Sequence, residues 1–224
     1  MLEFYLIIFA TFAFDAVLFT ALAWMHHAPR FARFRLSTTV KMKVTTASRI
    51  RNMAKSRTIS LIAVLGTTYF GFDRLFHHEP TPWWSIGLQA AAILVIYDFA
   101  YYWLHRGMHH KKVMRLVHGV HHRAKNPSAL ESFYLHPAEL LAGLFLLFAA
   151  TFVVGPVHAH AFVITFVVYS TLNIVIHSGM SFGHPLSWPV DALTRKHQTH
   201  HMTDFGKNYA SLTPIPDLIF RTAG

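Results

Sequence analysis

Cysteine is absent from the chain, which excludes disulfides and thiolate-bound metal outright. Charge is scarce: Asp, Glu, Lys and Arg make up 13% of the 224 residues, about half the share found in soluble domains. Acids are the scarcer sign, 10 against 20 bases. No Gly-x-Gly-x-x-Gly is present, so no dinucleotide site is expected. No His-Glu-x-x-His is present either, which argues against a zinc hydrolase with a carboxylate base beside its ligands. The net charge of +10 does not signal nucleic acid. Nine of the bases, with no acid, fall at Arg30–Arg57 between two apolar runs. A topology signal resting on anionic lipid headgroups explains them.

What the chain has instead is hydrocarbon. Hydrophobic residues make up 53%, Phe alone occurs 20 times, and the mean hydropathy is +0.34. Five apolar runs stand out: Leu2–Trp24, Thr58–Phe72, Ile86–Leu104, Ala138–Val154 and Val157–Ile176. A bilayer core is crossed by about 17–25 helical residues. Four runs reach that length, and the second does so only if extended toward Phe76. The first has no basic start and no small-x-small cleavage site, so it reads as a retained helix. The expectation is an all-α integral membrane protein, one domain over residues 1–224, with four to five transmembrane helices.

With the Arg30–Arg57 loop in the cytoplasm, alternation of the helices puts 19 of the 20 Lys and Arg on that side, leaving only Arg74 outside. The same alternation sorts the histidines. His-x-x-His-His is written twice, at His118, His121, His122 and at His197, His200, His201. Both copies fall on the cytoplasmic side, with His105, His109, His136 and His177. On a helix, positions i, i+3 and i+4 share a face, so each copy is expected to project as one tripod. His105, His109 and His177 bring the imidazoles to nine. One metal takes four to six ligands, so nine imply two metals. Imidazole suits Zn, Cu, Fe and Ni, and structural zinc is typically closed by Cys. Two redox-active irons in a neutral nitrogen shell beside lipid suit oxygen activation and attack on an unactivated C–H bond. A His-rich metal-binding or transport protein is the alternative; its ligands belong near the bilayer midplane, whereas these sit at helix ends and beyond.

Six stretches from about Tyr97 to Thr222 carry a resemblance: D-F-A-Y-Y-W-L-H-R-G-M-H (98–109), V-H-G-V-H-H (117–122), E-S-F-Y-L-H-P-A-E (131–139), N-I-V-I-H-S-G (173–179), H-Q-T-H-H (197–201) and N-Y-A (208–210). In these the chain resembles the sterol desaturase / fatty acid hydroxylase superfamily. The resemblance implies a cytoplasmic helical cap, two Fe ions (Zn possible as purified), and O2-dependent non-haem di-iron hydroxylation or desaturation of a lipid or sterol-like substrate. It assigns metal ligation to His105, His109, His118, His121, His122, His177, His197, His200 and His201. His136 becomes a tenth candidate, and Asn173 a residue that holds a metal-bound water. Pro216-Asp217 stands where some relatives carry an aromatic-Asp pair. Residues 81–224 become the hydroxylase-like region and 1–80 an N-terminal transmembrane hairpin with its basic loop.

Other expectations come from the residues themselves. Asp98, two turns before His105, is expected to orient a ligand ring. Glu139 divides evenly between capping a helix and supporting a ligand, and Glu131 and Asp204 are weaker candidates of the second kind. Tyr101, Tyr102, Trp103 and Phe133 are candidates for a substrate slot. Ser178–Lys196 reads as a broken interfacial segment, and Asp15, in mid-helix, has no partner legible in the sequence. Electrons are expected from an external ferredoxin or cytochrome-type donor drawn to the basic face, with the lipid entering from the bilayer. The expected location is a bacterial inner membrane, or the endoplasmic reticulum in a eukaryote.

Overall fold

The computed structural model describes residues 1–37, 44–202 and 205–224. Each apolar run forms a helix: α1 (Leu2–His27), α2 (Thr46–Leu75), α3 (Trp83–Met108), α5 (Pro137–Val154) and α6 (Ala159–Ile176). Among the described residues, α1, α3, α5 and α6 are long and apolar enough to cross a membrane. Helix α2 is longer, at 30 residues, but its first half lies in the basic stretch and only its second half carries the apolar run. Its start is fixed by Thr45, whose side chain accepts from the Ser48 N–H. Helix α5 starts with Pro at its first position, where the missing N–H costs nothing.

Helix α3 packs against both α5 and α6, with α1 against α6 and α2 against α5. The outward faces keep large apolar side chains exposed, among them Phe70, Leu88 and Phe145, as a lipid-facing surface requires. At one end, the two-residue strands β1 (Phe76–His77) and β2 (Val157–His158) pair in parallel. This ties the α2–α3 turn to the α5–α6 turn.

The opposite end carries a cap: α4 (Lys111–Leu116), the 3₁₀ turns His118–Arg123 and Ala129–Phe133, α7 (Trp188–Met202) and α8 (Ile215–Ile219). All nine candidate ligands lie at this end. The expected broken segment at Ser178–Lys196 is broken only as far as Ser187. From Trp188 onward it is helix α7, because Asp191 accepts from the Phe182 and Gly183 N–H groups and the Ser187 hydroxyl and so secures the helix start. Gly179 makes the turn out of α6 possible. It sits at φ +65°, and a Cβ there would come 2.5 Å from the Pro127 carbonyl oxygen.

Candidate metal centre

The nine imidazoles separate into two groups. His105, His109, His118, His122 and His200 form one; His121, His177, His197 and His201 form the other. Within each, every residue offers a ligand atom within 4.8 Å of all the rest. The expected tripods are therefore corrected. In the first motif copy, His118 and His122 join the five-histidine group while His121 crosses to the four. In the second, His197 and His201 join the four while His200 crosses to the five. Helix geometry explains the second split. At about 100° per residue, i and i+4 lie about 40° apart, whereas neighbouring residues such as His200 and His201 diverge by about 100°. The first copy lies in a 3₁₀ turn rather than an α-helix yet divides the same way.

Ring orientation is set from behind. The Nδ1 atoms face oxygen acceptors: His105 the Tyr209 carbonyl at 2.7 Å, His118 the Glu139 carboxylate at 2.9 Å, His121 the Tyr134 carbonyl at 3.2 Å. His177 faces the Asn173 carbonyl at 2.6 Å, His200 that of Lys207 at 2.6 Å, and His201 that of Ala124 at 3.0 Å. A carbonyl only accepts, so Nδ1 carries the proton and Nε2 keeps a bare lone pair. The Nε2 atoms nonetheless converge. They lie 3.1 Å apart for His121 and His177, 2.8 Å for His177 and His197, and 3.1 Å for His105 and His118. Two lone pairs at that separation repel unless a cation lies between them. Ligands about 2.0–2.1 Å from one ion, at about 90–110° to each other, sit about 2.8–3.4 Å apart. The residues present therefore fit two metal ions.

Burial prepares the rings for this role. Desolvation lowers the pKa of His109, His118, His177 and His200 to about 3. It also holds His121, His122, His197 and His201 below the ordinary imidazole range, and neighbouring imidazoles depress them further. All these rings are neutral at physiological pH, the form that ligates.

A cavity of about 290 Å³ opens on only one group. Its wall includes His121 and His177 of the four, with Glu139 behind His118, and none of the five. From there it runs between Tyr97, Tyr101, Tyr169 and Phe166 toward Asp15 and Arg57. Of the expected slot residues, Tyr101 and Phe133 line it. Tyr102 turns away and stacks on Phe220, and Trp103 packs edge-on against that ring beside Tyr102.

The supporting residues divide as follows. Asp98 does not reach a ring. Its carboxylate accepts from the Leu212 and Thr213 N–H groups and the Thr213 hydroxyl, because the C-terminal segment folds back across α3 and offers donors closer than any imidazole. Asp217 does similar work, accepting from the Tyr209 and Ala210 N–H groups and pairing with Lys196 at 2.7 Å. Together they fix the loop whose Tyr209 carbonyl holds His105. His136 stands outside both groups; it caps α5, its Nδ1 accepting from the Ala138 N–H. The Asn173 side chain borders the cavity. Glu139 supports His118 directly. Glu131 acts one step back, capping its own turn through Ser128 and pairing with Arg49 at 3.4 Å; that turn ends at Tyr134, whose carbonyl holds His121. Asp204 lies outside the described residues. The supports that sequence reasoning missed are backbone carbonyls, which leave no mark in side-chain identity.

The fold and site define a class: a helical membrane protein with two polyhistidine groups able to hold metal, one of them facing an aromatic cavity. The chain belongs to the fatty acid hydroxylase family, whose model matches residues 90–222, within the sterol desaturase / fatty acid hydroxylase superfamily. It is 34% identical over 173 residues to methylsterol monooxygenase 1 of Rattus norvegicus, covering 73% of this chain and 57% of the relative. It is 34% identical over 170 residues to very-long-chain aldehyde decarbonylase GL1-11 of Oryza sativa subsp. indica, covering 72% and 62%. It is 36% identical over 152 residues to methylsterol monooxygenase 2-2 of Arabidopsis thaliana, covering 64% and 55%. The chain thus spans little more than half the length of these curated relatives. No solved structure matches it.

Proposed function

We propose that the protein is a membrane-bound, O2-dependent di-iron oxygenase that hydroxylates or desaturates an unactivated C–H of a lipid. The observation that carries this reading is the convergence of bare Nε2 lone pairs in two groups, one opening on an aromatic cavity that runs up into the membrane-spanning helices. The relatives named as monooxygenases and a decarbonylase support the same class. Two bound irons would supply oxygen activation and hydrogen abstraction. His105, His109, His118, His122 and His200 would hold one, and His121, His177, His197 and His201 the other.

The chain's own residues do the rest. Tyr97, Tyr101, Tyr169 and Phe166 clamp a hydrocarbon tail and keep water out. Glu139 and the Tyr209, Tyr134, Lys207, Asn173 and Ala124 carbonyls keep six of the nine rings in the tautomer that points Nε2 inward. Asn173 is placed to hydrogen-bond a water or substrate oxygen beside His177. Electrons come from an external ferredoxin or cytochrome-type donor docking on the basic face of the cap, which we place in the cytoplasm on the asymmetry of Lys and Arg. Metal transport fits less well, because the ligands lie at helix ends and are backed from outside rather than strung along a path.

The test is metal analysis of protein purified under iron-replete conditions, followed by lipid mass spectrometry of cells expressing the wild type or His177→Ala with the donor supplied. The reading expects iron in the wild type and an oxidised lipid absent from the variant. An identical lipidome in the two would overturn it.

A further inference from the structure

Asp15 has no role in ligation, capping or packing of the metal centre. It sits in the middle of α1 with 5% of its surface exposed, where an unpartnered acid is costly. Its contacts are modest. The Thr171 hydroxyl donates to Oδ1 at 3.5 Å, and Ser170 is its other polar neighbour. The remaining face of the carboxylate borders the cavity. Arg57, from α2, borders the same cavity with its guanidinium over the Phe19 ring at 5.1 Å and the Phe133 ring at 5.5 Å. Among the described residues, the two side chains do not close into an ion pair within 4.0 Å. An acid and a base thus border one cavity without pairing to each other. Ser60 and Thr58 add hydroxyls to the same wall.

Depth along the helices gives the scale. Ser170 and Thr171 precede His177 on α6 by about two turns, which at 1.5 Å per residue is about 10 Å. The cavity therefore has a metal end at His121 and His177 and a polar end at Asp15 and Arg57, with aromatic rings between. Both polar-end residues lie outside the stretch matched by the family model, residues 90–222.

We propose that Asp15 and Arg57 are specificity-determining residues that select a lipid bearing a neutral hydroxyl, which donates to the Asp15 carboxylate while its chain reaches about 10 Å to the four-histidine group. This rests on the lipid-oxygenase reading above. A hydroxyl fits the pair because it can donate to Asp15 and accept from an arginine, while the pair as a whole is neutral. A carboxylate headgroup would be repelled by the Asp15 carboxylate, and an alkane would bring Asp15 no donor beyond Ser170 and Thr171.

The test measures binding rather than turnover. A photoreactive hexadecanol is crosslinked to the metal-loaded full chain in detergent, in competition with unlabelled hexadecanol, hexadecane or hexadecanoic acid. Hexadecanol is expected to compete roughly tenfold better than the other two, about what a hydrogen bond to a charged group gives. Asp15→Leu should erase that preference with metal content unchanged, and Asp15→Asn, which still accepts, should restore part of it. Equal competition by hexadecane, stronger competition by hexadecanoic acid, or a preference surviving in Asp15→Leu would overturn the proposal. The wild-type comparison decides even if the Leu variant does not fold. The two readings fail separately. Protein that prefers the alcohol but oxidises no lipid sinks the oxygenase, whereas a working oxygenase without the preference sinks only this subsite.

Discussion

The five-histidine and four-histidine groups draw on the same two motifs and share the same neutral rings, yet only the four-histidine group meets the cavity. Of the five, His105 and His200 are backed by carbonyls and His118 by Glu139, while His109 is only half-buried. Of the four, all buried, carbonyls back His121, His177 and His201, and His121 and His177 line the cavity. Ligand number would follow the same division: in the octahedral shell of a proposed iron, five nitrogens would leave one position and four would leave two. The comparison teaches that one centre is built to be held and the other to be reached.

The sharpest way to break that contrast is to remove one ligand from each side. His177→Ala should bring lipid oxidation below detection and lower metal content by about half, because three nitrogens remain on the reached side. His109→Ala leaves four on the held side and should keep most of its metal with measurable turnover. Equal losses by elemental analysis and product assay would erase the distinction. Next comes cavity blockade. Gly143 lies against the aromatic wall, and a Cβ there would sit 3.8 Å from the Tyr169 hydroxyl. Gly143→Leu should abolish oxidation while both metals stay bound, which restricts its effect to the reached side. Glu139→Gln replaces the carboxylate behind His118 with a weaker acceptor and should lower metal affinity or activity about 10–100-fold, read by competitive chelation, with the loss concentrated in the five-histidine group.

The smallest effect is on pH. His109, His118, His177 and His200 have folded pKa values lowered to about 3, below about 6.5 for the free ring. The unfolded chain therefore binds more protons between those values. Stability of the metal-free protein should be full above pH 6.5 and decline as pH falls toward 3, by up to about 1.4 kcal/mol per pH unit for each ring. Circular dichroism melts of chelated protein would measure it, and bound metal should flatten the curve.

The helices were legible because a bilayer demands long runs with few charges, and Ile86–Leu104 or Val157–Ile176 cannot be read otherwise. The clustering of nine imidazoles was legible because imidazole is the only side chain here that repeats at ligand spacing. Their partition was not, since tripod reasoning treats i+3 and i+4 as equivalent and the approach of α7 to the 118–123 turn separates them. Asp98 misled because proximity along α3 says nothing of Leu212 and Thr213, which arrive from far down the chain. Tyr134, Lys207 and Ala124 act through carbonyls that any residue would supply. Asp15 was conspicuous in the sequence, but its cavity exists only once α1, α2 and α6 are assembled.

In each His-x-x-His-His, two rings belong to one group and the third to its neighbour, with the allegiance reversed between copies. A displacement of either motif therefore reaches both groups. A shift of α7 moves imidazoles of both, and the interval between the groups is gauged by the rigid pitch of two short stretches of backbone. The pair behaves as one interlocked part, with its tolerance set by peptide geometry rather than by the loops around it.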